Sequence, residues 1–397
     1  MPVTRRTPDS LPPMPSPLSL RDVVDLLHGW YPPATADDWD RVGLVHGDTA
    51  QPVARVMLAV DATLEVAQDA VAWGADLLVV HHPLFLQGVH GFTTETPKGR
   101  TLMTLARGGC ALLAAHTNAD QAAGGVSEAM ALALGLEDLR PVLPAPAAPL
   151  DKLTVYVPAA DADRVRAALA EAGAGSVGAY EHASFSSVGE GRFRPLPGAR
   201  PAIGTVGQFE VTSEVNIEVV MPRSRRAEVV GAMLAVHPYE EVAYDVAEIV
   251  DAGVGLTGTG RIGTVAETTL RDFADVVARA LPATAQGVRV AGDPDRVVRR
   301  VALCGGAGDF LLDRVRGSDA DVYVTSDLRH HPAGEFLEHD GPALVDVAHW
   351  AAEWTWLPVL EKRLRAALGD TVETRVSTRS TDPWTFRTER PDTRSTP

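Results

Sequence analysis

An α/β fold, with parallel-type sheets flanked by helices, is what this chain predicts, and three observations carry that expectation. Short apolar runs at 56–60, 77–80 and 111–115 alternate with helical stretches at 64–73 and 98–107, the rhythm of parallel strands under crossover helices. The runs stop on polar signals, Asp61, His81-His82-Pro83 and His116, as strands do at the ligand-binding edge of an open sheet. From Gly255 the rhythm returns as a repeat. Moved by 245 positions, Val56-Met57-Leu58 lies on Val301-Ala302-Leu303, and Ala75-Asp76-Leu77-Leu78-Val79 on Ala320-Asp321-Val322-Tyr323-Val324. Two related α/β halves follow from it.

The other elements fill in around that frame. A helix over 20–27 opens after a capping Ser19, Trp39-Asp40-Arg41-Val42-Gly43-Leu44 runs into a glycine turn, and Gly124-Gly125 introduces a helix over 126–134. A Pro/Ala-rich stretch over 141–150 reads as a linker. Beyond it the predicted elements are strand 153–157, helix 162–172, strand 178–186, a Gly/Pro-rich loop over 189–204, strand 215–221, helix 224–236 and strand 242–249. That order, βαββαβ, is the ferredoxin-like split unit. The expected organisation is a disordered leader (1–17), a first α/β half (18–140), the linker, an inserted α+β domain (151–252), a second α/β half (253–376) and a tail (377–397). Trp384 and Phe386 would tether that tail.

Composition narrows the function classes. Lys+Arg total 36 against 52 Asp+Glu, a formal charge of −16, which argues against a partner recognised through a nucleic-acid backbone. No apolar run approaches the roughly 18–20 residues of a membrane span, and the first residues lack the hydrophobic core of a signal peptide. Cys110 and Cys304 sit in or beside apolar runs, fitting small buried hydrophobes in a reducing, cytoplasmic setting.

The chemistry concentrates at the strand ends. Leu77-Leu78-Val79-Val80 stops dead on two histidines and a proline, and imidazole is the commonest metal ligand among side chains. In His349-Trp350-Ala351-Ala352-Glu353 the imidazole and carboxylate stand four apart, on one helical face. Apolar neighbours (Trp350, Trp354, Trp356, Leu357) bury that helix, so the carboxylate needs a partner. His116 and Asp120 bracket a loop at the third strand end. Asp61 reads equally well as a helix cap, His330-His331-Pro332 as a surface loop, and His28, His46, His90 and His339 as structural or exposed. Histidines and carboxylates together at one edge suit Zn²⁺, Mn²⁺ or Fe²⁺. Five donors exceed one tetrahedral ion, whereas a carboxylate bridging two ions would use them all. No Walker loop is present, since Gly305-Gly306-Ala307-Gly308 lacks the following Lys-Ser/Thr.

These motifs resemble a known signature. His81-His82-Pro83-Leu84, His116-Thr117-Asn118-Ala119-Asp120 with Gly124-Gly125-Val126, and the 349–353 segment are similar to those of the Nif-three-like dinuclear-metal hexamer family, labelled GTP cyclohydrolase 1 type 2 homologue. The segment 39–44 resembles its N-terminal signature, with Arg41 where Asn is usual; Ala348 and Trp350 stand where Gly and Tyr are usual. Gly191-Arg192-Phe193-Arg194-Pro195 and His237-Pro238-Tyr239-Glu240-Glu241-Val242-Ala243-Tyr244-Asp245 are similar to the PII-like insert of the longer members. The resemblance implies that His81, His82, Asp120, His349 and Glu353 ligate two divalent metals in a homohexamer.

The expected activity is metal-dependent hydrolysis of a small-molecule substrate, a nucleotide or phosphoester, with His116, His331 and Asp327 as candidates for proton transfer or substrate contact. The competing expectation is a non-enzymatic protein, for metal storage or delivery, or a regulatory scaffold whose insert binds an effector or partner.

Overall fold

A computed structural model of the chain describes residues 17–147, 149–178, 180–250 and 254–388. The leader and the end of the tail lie outside them. Two compact units result, one from the residues up to Ala145 together with those from Leu256, the other Pro146–Gly255.

The first unit holds two sheets. In one, Arg55–Ala59, Leu77–Val80 and Ala111–Ala114 run parallel at the centre, and every residue of the latter two is buried. Gly43–His46 closes one edge antiparallel, and Glu373–Val376 closes the other parallel to Arg55–Ala59. In the second sheet Val297–Ala307, Val322–Ser326 and Ala343–Val347 are the parallel centre. Its outer strands, Arg289–Ala291, Arg261–Thr269 and Glu137–Arg140, are antiparallel. The expectation of parallel-type sheets is thus met at the two centres and along the Glu373–Val376 edge, while the remaining edge strands are antiparallel. Nor is either sheet confined to its own half, because each takes an edge strand from the other half's sequence, Glu373–Val376 in one case and Glu137–Arg140 in the other. An edge strand pairs along one side only, so distant sequence can occupy it without disturbing the crossovers.

The repeat survives in atomic detail. Val56 pairs with Leu77, and Val301 with Val322, the same register at the same offset. Asp76 accepts from the backbone N–H groups of Ala54 and Arg55 at 2.8 and 2.9 Å, and Asp321 from those of Arg299 and Arg300 at 2.8 Å. Each carboxylate thereby ties the start of one strand to the loop before the next.

Helices cap as the sequence suggests. Leu20–Trp30 opens with a reciprocal capping box between Ser19 and Asp22, and Thr63 caps Leu64–Trp73. Asp61, read above as a cap, is therefore free for other work. Leu143–Pro146, read as linker, is a strand paired with Val254–Thr259, a pairing that proline-rich composition alone does not reveal.

The second unit is one antiparallel sheet in the order Tyr244–Glu248, Leu150–Pro158, Glu210–Pro222, Phe185–Phe193. Helices Ala162–Glu171 and Arg226–Val236 cover one face of it, over Leu153, Val155, Val157, Val215 and Ile217. The strand expected at 178–186 lies instead at Phe185–Phe193, starting at the end of the expected strand and running into the expected loop. Its glycines mislead: a Cβ on Gly191 would stand 2.3 Å from the Glu214 carboxylate crossing it, so the glycine serves that close approach.

One glycine fixes the geometry near the strand ends. A Cβ on Gly125, which precedes helix Val126–Ala133, would stand 1.8 Å from the Ala119 carbonyl oxygen. Gly125→Ala should lower folding stability by about 2 kcal/mol, as overpacking does; urea denaturation followed by circular dichroism measures it.

Candidate metal centre

The sequence-predicted donors converge within the first unit. Strand Leu77–Val80 ends where His81 and His82 turn inward, their backbone N–H groups held by Val60 O at 3.1 and 2.9 Å. Successive residues of a continuing strand would face opposite ways; here both rings sit on one side, centroids 5.0 Å apart. His349 and Glu353 project from one face of helix His349–Trp354, with His349 Nε2 2.7 Å from Glu353 Oε1.

Glu353 is the hub. Its Oε1 lies 3.4 Å from His81 Nε2 as well, and its Oε2 lies 3.1 Å from His82 Nε2. Asp120 Oδ1, from the short helix Thr117–Gln121, stands 3.6 Å from His81 Nε2. Nitrogens of His81, His82 and His116 form one group close enough to hold a metal ion, and donors of His82, His349 and Glu353 form another.

The outward-facing nitrogens are anchored in turn. His81 Nδ1 donates to Ala115 O at 2.9 Å, His82 Nδ1 meets Asp61 Oδ1 at 2.7 Å, and His349 Nδ1 meets Asp327 Oδ2 at 2.6 Å. Carbonyls and carboxylates only accept, so the hydrogens sit on Nδ1 and each Nε2 faces the centre, the arrangement typical of metal-ligating imidazoles. Gly306 leaves the room this needs, for a Cβ there would meet Glu353 Oε1 at 2.4 Å and His349 Nε2 at 3.2 Å. Its φ of +74° suits glycine too.

Buried donors without partners test whether a cation fits. His81 Nε2, Asp120 Oδ1, His349 Nε2 and Glu353 Oε2 are all buried without a hydrogen bond of their own. Such atoms are costly unless something satisfies them, and a cation among them would satisfy all four. The residues present therefore fit a metal.

Electrostatics point the same way. Burial alone would raise the Glu353 carboxyl, but His82, His81 and His349 hold it well below its ordinary range. Burial opposes charge on His82 and His349, yet Glu353 overrides it and pushes them up to about 11 and about 10. Burial pushes Asp120 up to about 7, against the pull of His81. Burial, followed by the charge of His81, brings His116 down to about 4.

The proposed proton-transfer residues fare differently. His116 joins the cluster, its ring 5.1 Å from that of His81 and its Nδ1 on Asp40 at 2.9 Å. Asp327 serves as anchor for His349. His331 is exposed, its ring against that of His330, and is not brought to the cluster.

Sequence reasoning missed three contributors. Buried Asp40 accepts from His116 and from the N–H and hydroxyl of Thr117, and its place in the 39–44 motif was the available signal. Arg261, also buried, donates to the carbonyls of Gly258, Gly260 and Ala122, fixing the segment just after Asp120. Thr381 donates its hydroxyl to Asp61 Oδ2, the carboxylate that anchors His82. Arg379 pairs with Asp69 at 2.6 and 2.9 Å and pins that segment, whereas Trp384 and Phe386, expected as tethers, are exposed.

A mixed α/β protein with a buried histidine–carboxylate cluster able to hold metal is the class defined so far. The family model of Duf34/NIF3 (NGG1p interacting factor 3) matches residues 18–383, and the chain belongs to that family. It is 50% identical over 367 residues to a Mycobacterium tuberculosis protein, covering 92% of this chain and 96% of that one. It is 38% identical over 370 residues to one from Bacillus subtilis, with 92% and 98% covered. Both relatives are named "GTP cyclohydrolase 1 type 2 homolog". A Bacillus cereus protein related to NIF3 superposes with a TM-score of 0.84 at 36% identity, covering 94% of this chain and all of that one.

Two expectations follow. Thr381→Val, which removes the donor to Asp61, should weaken Zn²⁺ or Mn²⁺ binding about tenfold while Thr381→Ser retains it; competition with a chromophoric chelator measures this. Ions must displace protons from His82 and His349, both protonated at pH 7 at the values above. Affinity should therefore fall on acidification, by about two log units per pH unit between pH 8 and 6. Calorimetry in buffers of different ionisation enthalpy counts the protons released.

Proposed function

We propose that this chain is a dinuclear divalent-metal hydrolase acting on a nucleotide or phosphoester, with His81, His82, Asp120, His349 and Glu353 as the metal ligands. The observation that carries the reading is Glu353, a single buried carboxylate with one oxygen toward His81 and His349 and the other toward His82. When bound, a pair of divalent ions supplies Lewis-acid polarisation and water acidified toward neutrality. The chain's own groups do the rest. Asp61, Asp327 and the Ala115 carbonyl fix three rings, and Asp40 holds His116 by Nδ1 so that its Nε2 is an acceptor beside the cluster. His116 is the residue proposed for proton transfer; Asp327 positions His349, and His331 is not retained.

Three further readings belong to the proposal. The order of the second unit's strands, with the fourth in sequence beside the first and the second at the far edge, supports a ferredoxin-like, PII-like insert. By resemblance the assembly is a hexamer. Buried, unpaired Cys110 and Cys304 support a cytoplasmic location, and among the described residues no helix is long and apolar enough to cross a membrane.

The test begins with elemental analysis of purified protein, followed by a screen of nucleotides, GTP first, and phosphodiesters with the metal found. Turnover lost in Glu353→Gln together with bound metal is the expected result. Full metal loading with no substrate turned over would sink the hydrolase reading.

A further inference from the structure

Two motifs of the second unit have no part in the metal centre, and they meet. Residues 191–195 and the Tyr239–Ala243 stretch line one cavity of about 390 Å³, within the roughly 300–1,000 Å³ usual for small-molecule sites. The cavity lies wholly within this unit. Phe193 and Tyr239, ring centroids 6.1 Å apart, with Ile203 and Pro195, make its walls largely apolar and aromatic.

Its polar groups are held in place. His237 Nε2 meets the Tyr156 carbonyl at 3.0 Å, and its Nδ1 accepts from the backbone N–H of Tyr239 at 3.1 Å. The Tyr239 hydroxyl donates to Glu214 Oε1 at 2.9 Å. The other oxygen of Glu214 lies over Gly191, where any side chain would collide with it. Glu240 is engaged by the backbone N–H of Arg200 and Arg192 by Glu190. Arg194 differs: its guanidinium rests over the Phe209 ring at 5.1 Å and has no carboxylate partner among the described residues.

From this we infer that the cavity is a binding site for a flat organic anion carrying N–H donors. The aromatic walls take the ring, Glu214 accepts from its N–H groups, and Arg194 receives the anionic substituent, a geometry suited to guanidinium. Nucleoside monophosphates and indole carboxylates share that chemistry. The site is separate from the metal centre in composition, since none of its residues belongs to the ligand set.

Isothermal titration of the full chain with GMP, AMP and indole-3-carboxylate tests it. Binding of at least one, weakened tenfold or more by Arg194→Ala, restored in part by Arg194→Lys and unchanged in Glu353→Gln, is the expected result. Nucleotides bound without the indole acid, or the reverse, identifies the source of the anion. Saturating millimolar concentrations without binding, or binding lost in Glu353→Gln but indifferent to Arg194→Ala, would overturn the inference. Absence of binding leaves turnover at the metal centre untouched, and binding that depends on Glu353 but not on Arg194 would assign the nucleotide to that centre instead, so the two proposals fail separately.

Discussion

A buried carboxylate governs the first unit. Glu353 is almost wholly excluded from solvent, and an ionised carboxyl in such a place is expensive unless charge and donors surround it. Three imidazoles do so, and each arrives from a strand end or from the carboxylate's own helix turn. That requirement reaches outward. The imidazoles need fixed tautomers, which Asp61, Asp327 and Ala115 O provide, and Asp61 in turn takes the Thr381 hydroxyl. One buried charge thus organises residues from position 61 to position 381.

The sheets make this affordable because their carboxyl edges are shared ground. Parallel centres bring strand ends to one level, and two such centres, built in the same register at the same sequence offset, supply ends from both halves. His81-His82 follow one second strand, and Ser326-Asp327 stand at the end of its counterpart. The repeated edge therefore carries two imidazoles of the cluster on one side and, in Asp327, an anchor for a third on the other.

How much of this was readable in the sequence depends on whether the signal is local. Leu77–Val80 and Leu64–Trp73 were legible to the residue because apolar runs with clear stops decide their own extent. His349 and Glu353 were legible because a helical period places them on one face. The exchange of Glu373–Val376 and Glu137–Arg140 was not, since edge pairing is decided by distant partners. Phe185–Phe193 was hidden by its glycines, one of which, Gly191, leaves room for the Glu214 carboxylate crossing it. Thr381 was opaque for a related reason, and Asp40 and Asp61, though marked by the 39–44 motif and by a strand end, gave no sign of their partners. Each works through a hydrogen bond to a residue dozens or hundreds of positions away, and a lone Asp or Thr in a loop reads as turn chemistry.

The anchors also explain why the cluster can be stable before any cation arrives. With Nδ1 hydrogens committed outward, each Nε2 has only two states, protonated toward Glu353 or bare. Protonated, the imidazoles offset the charge of Glu353 while His82 repels its two neighbours. Bare, they present lone pairs already turned toward Glu353. Exchange between protons and cations at these nitrogens is thus an electrostatic substitution. A rigid cluster of this kind concentrates its selectivity in donor type and spacing, so Gly306, which admits no side chain beside Glu353 and His349, is as much a part of the site as the donors are.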